Sequence, residues 1–161
     1  MISIRRAVSG DAGQLTELVN AAYAIETFFV DGARTTTAEI AALVATNSFL
    51  VLERADGRLI AAVLLEPRSE GAYLGMLSVA PEAQGQGLGR RLVAAAEALA
   101  EAMGCAWVDL KIVNLREELG RWYRSLGYAA VATAPYTHRP VKQPCHFVEM
   151  RKWLRRDIAA A

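Results

Sequence analysis

Apolar residues recur with two different periods along the chain, and these periods separate predicted strands from predicted helices. A short strand is expected at Ser3 to Ala7, followed by a helix that Asp11 caps and that runs to about Ala24. Residues 25–35 show neither period and are expected to be irregular. Thr36 or Thr37 can cap a second helix. The chain is therefore predicted to open with a strand and two helices.

The middle of the chain alternates with the period of a strand and then changes to that of a helix. Runs at Ser48 to Glu53 and Leu59 to Glu66 flank an Asp-Gly pair, which predicts an antiparallel hairpin. Tyr73 to Val79 is apolar on both alternating faces, as expected of a central strand. A helical stripe from Leu88 to Met103 and a strand at Ala106 to Val113 complete a β-α-β unit with a right-handed crossover.

The last third predicts one more helix and two more strands. Asn114 can cap the helix, which ends at Gly127, and strands are expected near Tyr128 to Ala132 and at His146 to Trp153. Together these elements predict a three-layer α/β/α sandwich with a central mixed sheet of about six to seven strands. No linker or repeat divides residues 1–161, so one domain is expected.

Composition narrows the functional classes. The 161 residues are 53% hydrophobic and 22% charged, with a net charge of +1, so no global field attracts nucleic acid or an anionic membrane. The longest aliphatic run, Leu59 to Leu65, is too short to span a bilayer. Two cysteines forty residues apart form no disulfide framework or zinc cluster. A cytoplasmic protein without a metal is the expectation.

A glycine-rich turn, Gln84-Gly85-Gln86-Gly87-Leu88-Gly89-Arg90-Arg91, joins the central strand to its helix. Glycine in a first helical turn costs up to about 1 kcal/mol relative to alanine, and two arginines lie where the helix dipole is already positive. An anion such as phosphate, bound by bare N–H groups, would explain both features. The alternative is a tight connection whose glycines only permit close packing.

Two phosphate-binding motifs do not match this turn, and a third pattern does. G-x-G-x-x-G fails because Arg90 stands where the third glycine belongs, and no Gly-Lys-Ser/Thr of a P-loop occurs. The turn resembles the Gln/Arg-x-x-Gly-x-Gly/Ala of the GNAT superfamily of acetyl-CoA-dependent N-acyltransferases, through Gln84, Gly87 and Gly89. Leu77-Ser-Val79-Ala-Pro81 before the turn, and Val113-Asn114 through Leu126-Gly127-Tyr128 after it, follow the family's order. The resemblance extends over roughly residues 48 to 153.

The resemblance implies that acetyl-CoA is the co-substrate and that its pantetheine arm enters between two splayed strands. Backbone groups of Leu77 and Val79 would pair with the pantetheine amides, and the Asn114 side chain would contact the same arm. N–H groups of the turn would hold the pyrophosphate, which makes the implied cofactor-binding set Leu77, Val79, Gln84, Gly85, Gln86, Gly87, Leu88, Gly89, Arg90 and Asn114. A helix cap is the alternative role for Asn114, and core packing is the alternative for the side chains of Leu77 and Val79.

Tyr123 matches the family's tyrosine that faces the thioester sulfur, so it is the candidate catalytic residue. The resemblance implies direct attack of an amine in a ternary complex, with no metal and no covalent enzyme intermediate. Tyrosine is neutral at pH 7 and can donate a hydrogen bond to the departing thiolate. Without the family context, a helical tyrosine beside Trp122 reads as a core residue.

The general base and the acceptor are left unassigned by the sequence. Many family members carry a glutamate on the central strand, but Ala72 to Met76 holds no carboxylate. Glu26, Asp31 and His138 lie in two expected mouth segments, Glu26 to Thr37 and Thr133 to Pro144, and are interpreted as ordinary surface groups. A small amine, a peptide N-terminus or a lysine all fit as acceptor, and a homodimer is possible.

Two other functions are also compatible with the sequence. The missing strand carboxylate is the one feature that supports a non-catalytic acyl-CoA-binding regulatory module. A phosphate-binding domain unrelated to CoA is the other.

Overall fold

The computed structural model describes residues 1–154, in which seven strands form one mixed sheet with four α helices and three short 3₁₀ helices. The strand order is β1-β2-β3-β4-β5-β7-β6. The bounds are β1 Ile2–Arg6, α1 Ala12–Tyr23, α2 Thr37–Thr46, β2 Ser48–Arg54, β3 Leu59–Arg68, β4 Gly71–Val79, α3 Leu88–Ala102, β5 Trp107–Val113, α4 Glu117–Ser125, β6 Ala129–Pro135 and β7 His146–Trp153, with 3₁₀ helices at Ser9–Asp11, Ala24–Phe28 and Pro81–Ala83. The predicted fold class is confirmed.

The first two predicted N-terminal caps, at α1 and α2, have different outcomes. Thr36 caps α2, because its hydroxyl accepts a hydrogen bond of 3.2 Å from the Glu39 N–H. Asp11 precedes α1 but makes no side-chain cap to it. Its carboxylate instead accepts from the Val8 N–H at 2.8 Å and from the Arg5 guanidinium at 2.8 Å. An ion pair to β1 therefore takes the place of the expected helix cap.

Helices cover both faces of the sheet. Every residue of β3 from Leu59 to Leu65 is buried, although alternate side chains of a strand point to opposite faces. Helix α1 packs with α2 and against β3 and β4, whereas α3 packs across β2, β3, β4 and β5. Burial on both faces explains why these strands read as continuous apolar runs rather than alternating ones.

Strands β4 and β5 are paired only at their beginnings. Their parallel register contains Ala72 with Val108 and Tyr73 with Asp109, and beyond these residues the strands separate. Strand β4 also contains a bulge on its β3 side. Gly75 pairs with Leu64 and Ser78 with Ala62, so β4 has one more residue between these pairs than β3. Met76 at the bulge has a φ of 50°. The carboxyl ends of two neighbouring central strands thus leave a V-shaped opening.

The two predicted mouth segments meet beside this opening. Residues 25–35 begin with the 3₁₀ helix Ala24–Phe28, and Val30 forms an isolated antiparallel bridge with Val141. The Lys142 N–H donates to the Phe29 carbonyl at 2.8 Å. Strand β6 extends to Pro135, so the second irregular segment is shorter than predicted. No helix among residues 1–154 has the length and apolar character needed to cross a bilayer.

Candidate active site

A cleft of about 470 Å³ occupies the opening between β4 and β5. Its wall contains the second half of β4, the turn before α3, the end of β5 and the inner side of α4. Residues of the two mouth segments close its other end, among them Glu26, Arg34, His138 and Arg139. The elements that the sequence singled out separately therefore line one cavity.

The glycine turn presents bare backbone to this cleft. Gly85 and Gly87 have φ values of 79° and 77°, a left-handed conformation that side chains rarely adopt. A Cβ atom built on either glycine meets no other atom within 4 Å. These two glycines are therefore required by backbone conformation and leave open space, so close packing does not explain them.

Helix α3 begins at this turn with unsatisfied donors. Gly87 is the N-cap residue and supplies no side-chain cap, and the first turn contains no acidic residue. The first helical hydrogen bond is from the Arg91 N–H to the Gly87 carbonyl, at 3.1 Å. The N–H groups of Leu88, Gly89 and Arg90 precede it and have no helical acceptor. The positive end of the helix dipole and these three residues therefore lie at the wall of the cleft.

Gln84 and Val79 interact across the base of the turn. The Gln84 side-chain amide donates to the Val79 carbonyl at 3.2 Å. The Ala80 N–H donates to the Ile60 carbonyl of β3 at 2.8 Å. In an antiparallel pair, the backbone N–H and C=O groups of successive residues point alternately to the two edges of the strand. The N–H and C=O groups of Val79 therefore point to the edge of β4 away from β3. The Val79 N–H therefore faces the opening, while its carbonyl is already bound by Gln84.

The remaining predicted residues of the turn occupy different positions. Gly89 packs under Trp122 of α4, where an added Cβ would lie 3.4 Å from the indole. Leu77, Leu88 and Arg90 line the cleft, whereas Gln86 is exposed and outside its lining. Gly89 thus also has the packing role that the sequence offered as the alternative.

Tyr123 lies on the buried side of α4 and lines the cleft. Its ring contacts Trp122 and Tyr128, with ring centroids 4.9 and 5.6 Å apart. Burial raises the pKa of the Tyr123 hydroxyl, and Tyr23 and Tyr73 reinforce the rise. The hydroxyl therefore stays protonated at neutral pH. Tyr123 therefore packs in the core and also lines the cleft.

The structure contradicts one of the two sequence-based expectations for Asn114. Helix α4 begins at Glu117 with Arg116 as its N-cap, so the predicted helix cap at Asn114 is wrong. The Asn114 side-chain oxygen accepts from the His146 N–H at 2.8 Å and holds the start of β7 against the end of β5. Asn114 lies outside the residues that line the cleft. Its contact with the pantetheine arm stays a prediction.

A buried ion cluster in the cleft was not anticipated. Glu26 is only 5% exposed, and its carboxylate binds Arg116 at 3.0 Å and Arg139 at 3.1 Å. Burial raises the pKa of Glu26, and the two arginines offset part of that rise. The interpretation of Glu26 as a surface group is therefore wrong, whereas Asp31 is exposed. A single carboxylate inside the apolar run from Ala21 to Val30 was the available sequence signal.

Aromatic and cationic side chains complete this end of the cleft. Tyr23, Tyr73, Tyr136 and Phe147 line it together with Lys111 and Arg34. Burial raises the pKa of Tyr23 to about 12. The Lys111 ammonium lies 4.8 Å from the Phe147 ring centroid. No periodicity distinguishes these residues, because they come from six separate segments that only the fold brings together.

Comparisons with known proteins agree with this geometry. The profile of the acetyltransferase (GNAT) domain family matches residues 45–130, which include β4, the glycine turn, β5 and α4. The chain belongs to this family, and the predicted enzyme class, an acetyl-CoA-dependent N-acetyltransferase, is confirmed. A search of curated proteins returns no sequence match.

Solved structures share the fold at low sequence identity. An N-acetyltransferase from Staphylococcus aureus Mu50 superposes with a TM-score of 0.80 at 16% identity, covering 96% of this chain and 99% of that one. YncA from Salmonella typhimurium, solved with its cofactor acetyl-CoA, gives 0.78 at 22% identity, with 96% and 95% covered. The ribosomal-protein-S18-alanine N-acetyltransferase from Escherichia coli gives 0.77 at 19% identity, with 96% and 94% covered.

Proposed function

We propose that this enzyme transfers the acetyl group of acetyl-CoA to a primary amine by direct attack, with both substrates bound together in the cleft. The observation that carries the proposal is the glycine turn. Its left-handed glycines, three free N–H donors and missing acidic residues form a site for an anion at the start of α3. The pyrophosphate of CoA is the anion that the family membership implies.

Residues of β4 and the turn would hold the co-substrate in the cleft. The Val79 N–H faces the opening, and Leu77 lines it beside the bulge. The N–H groups of Leu88, Gly89 and Arg90 and the Arg90 guanidinium would bind the pyrophosphate. The absence of side chains at Gly85 and Gly87 would let it approach the backbone. The same Val79 N–H would stabilise the oxyanion that forms when the amine attacks.

Tyr123 would act on the leaving group. A tyrosine whose pKa is raised by burial stays neutral and donates a hydrogen bond through its hydroxyl. Complete proton transfer from an ordinary tyrosine to a thiolate is uphill by about 2 kcal/mol, and burial makes it more uphill. Tyr123 therefore stabilises the departing thiolate by a hydrogen bond, with proton transfer late in the reaction.

No residue is assigned as general base. Strand β4 carries no carboxylate from Gly71 to Val79, and both oxygens of Glu26 are bound by arginines. The amine would lose its proton to water.

We extend the proposal to a single domain over residues 1–161, a cytoplasmic location, a catalytic cycle without metal, and a homodimer. Strand β6, whose residues Ala129 to Thr133 are all exposed at the sheet edge, offers a pairing surface for the dimer.

The experiment is an assay of free thiol released from acetyl-CoA in the presence of a panel of primary amines. Direct transfer predicts release that depends on the amine and yields an acetylated product. Calorimetric binding of CoA without turnover of any amine, peptide or protein would instead match an acyl-CoA-binding module. Stabilisation of the fold by ATP but not by CoA would indicate an unrelated phosphate-binding domain.

A further inference from the structure

Cationic side chains outnumber carboxylates in the part of the cleft away from the glycine turn. Arg34, Lys111 and Arg139 line both the cleft and an adjoining cavity of about 430 Å³, whose lining excludes the turn. Among the described residues, the cleft has Glu26 as its lining carboxylate and the adjoining cavity has Glu39. This end of the cavity therefore carries a positive excess that the pyrophosphate site does not explain.

Two of the cations in the cleft are already bound by the protein. Arg139 donates to Glu26 at 3.1 Å, to the Gly32 carbonyl at 3.0 Å and to the Tyr136 hydroxyl at 3.3 Å. Arg116 donates to Glu26 at 3.0 Å and also pairs with Glu118. Arg116 and Arg139 balance the charges of Glu26 and Glu118, so these carboxylates leave no negative charge for the other cations.

Lys111 and Arg34 have more distant counterions than these two arginines. The Lys111 ammonium lies 4.8 Å from the Phe147 ring centroid and 5.9 Å from that of Tyr73. Glu149 of β7 is the cross-strand neighbour of Lys111, but among residues 1–154 Lys111 forms no ion pair within 4.0 Å. The nearest carboxylate to Arg34 is that of Glu39, at 4.0 Å, although the Arg34 side chain is only 22% exposed. A half-buried cation whose counterion is distant is stabilised by a ligand that brings a negative charge close to it.

His138 at the rim reflects the same positive potential. Burial lowers the pKa of His138, and Lys111, Arg34 and Arg139 lower it further, against a small opposing effect of Glu39. Its ring lies 5.0 Å from Phe147 and 5.7 Å from Tyr136. His138 and the cations therefore lie around the same group of aromatic side chains, which includes Tyr136 and Phe147.

We propose that the acceptor is a small amine that also carries an anionic group, and that Lys111 and Arg34 bind this group. The inference rests on the proposed function and specifies its second substrate. A polyamine or a lysine-rich peptide would bring more positive charge to a site that already has an excess. The enclosing aromatic side chains favour a small molecule.

The same positive potential would assist the chemistry. Nearby cations disfavour the protonated form of an amine, so they increase the fraction of neutral amine that can attack the thioester. This effect would replace part of the role of the carboxylate that β4 lacks. The anionic group provides the attraction that holds such an amine in a cationic site.

The test measures binding to the CoA-saturated protein by calorimetry, so that it does not depend on turnover. The probes are α-amino acids and aminoalkylphosphonates, each compared with an uncharged counterpart such as the α-amide. We expect at least one anionic amine to bind at least about 10-fold more tightly than its neutral counterpart, which is about 1.4 kcal/mol. The two anionic series distinguish a carboxylate from a phosphorus oxyanion.

Variants identify the residues responsible. Lys111→Met and Arg34→Gln should each weaken the anionic ligand at least about 10-fold, with little change for the neutral counterpart or CoA. Lys111→Arg, which keeps the charge, should restore most of the affinity. Arg121→Gln removes an exposed cation of α4 outside the cavity and should change nothing.

The outcomes separate this inference from the proposed function. Equal or tighter binding of uncharged amines, no binding of any probe, or unchanged affinity in Lys111→Met and Arg34→Gln would overturn the anion site. Anionic amines that bind through Lys111 and Arg34 but release no thiol would leave the anion site standing and contradict the acetyl transfer. Acetylation of neutral amines in preference to anionic ones would support the acetyl transfer and contradict the anion site.

Discussion

Tyr73 of β4 and Asp109 of β5 form the last residue pair that joins these two parallel strands. Beyond this pair, one edge of β4 has no neighbouring strand, and the Val79 N–H at its far end faces the cleft. A peptide N–H that lacks a strand partner in a protein interior needs another acceptor. The position where the sheet opens therefore determines where an extended, amide-containing ligand can bind.

Gly87→Ala is expected to weaken CoA binding at least about 10-fold. The substitution adds a methyl group at a left-handed position, where an L-residue costs roughly 1–2 kcal/mol, and places it in the open space of the turn. Calorimetry with CoA measures the loss.

Gly104→Ala is the matched control for this substitution. Gly104 follows the other end of α3 with a φ of 86° and equally open surroundings. Both variants should lose similar stability, but only Gly87→Ala should lose CoA affinity. Equal CoA affinity in the two variants would argue against the turn as the binding site.

Tyr123→Phe is expected to lower kcat by about 10²-fold while the Kd for CoA stays nearly constant. The rate of thiol release at saturating substrates tests this. Tyr128→Phe serves as the control, because Tyr128 packs on Tyr123 but donates its hydroxyl to Glu97 at 2.8 Å. That variant should lose about 1 kcal/mol of stability and retain the rate. A similar rate loss in both would assign Tyr123 a packing role only.

Glu26→Gln is expected to lower the free energy of unfolding by about 3 kcal/mol, since it leaves Arg116 and Arg139 as buried cations without their carboxylate. Urea denaturation measures this loss. Glu39→Gln, which removes an exposed carboxylate 4.0 Å from Arg34, should cost less than about 0.5 kcal/mol. Comparable losses for the two variants would contradict a structural ion cluster at Glu26.

The Arg5 and Asp11 ion pair predicts a stability loss in acid. Hydrogen bonds from Arg5 lower the pKa of Asp11 below its ordinary value of 3.8. The carboxylate therefore stabilises the fold above that value, and the contribution is lost as the pH falls through the lower folded-state pKa. The stability difference between the native protein and Asp11→Asn should thus be present at pH 6 and shrink by pH 2.

Denaturation curves of Asp31→Asn supply the comparison for this pH effect. Asp31 is exposed and lies 3.6 Å from Lys142. Because this ion pair is exposed, Asp31→Asn should change the free energy of unfolding by less than about 1 kcal/mol. A constant difference for Asp11→Asn across the same range would contradict the ion pair as the cause.

The sequence predicts the framework of the fold and singles out the glycine turn because both rest on local patterns. The hairpin around Asp56-Gly57, the apolar stretch of β4 and the stripe on α3 each specify one element. The glycines at 85 and 87 are visible because they violate helix preferences. Asp11 and Asn114 misled the cap predictions, because partners distant in sequence, Arg5 and His146, bind their side chains instead.

The cationic end of the cleft, away from the glycine turn, could not be predicted in the same way. Glu26, Lys111 and Arg139 come from different elements, and no spacing relates them. Their burial and their shared cavity depend on how the segments before α2 and after β6 pack together. Only Glu26, a carboxylate in an apolar run, was recognisable, and it belongs to a structural ion cluster.

Amide hydrogen exchange in the presence of CoA tests the central claim most directly. At saturating CoA, exchange at the N–H groups of Val79, Leu88, Gly89 and Arg90 should slow at least about 10-fold, because each gains an acceptor in the opening between β4 and β5. Amides of the exposed strand β6 should exchange as before. CoA binding that leaves these four amides unchanged would contradict the placement of the co-substrate in this cleft.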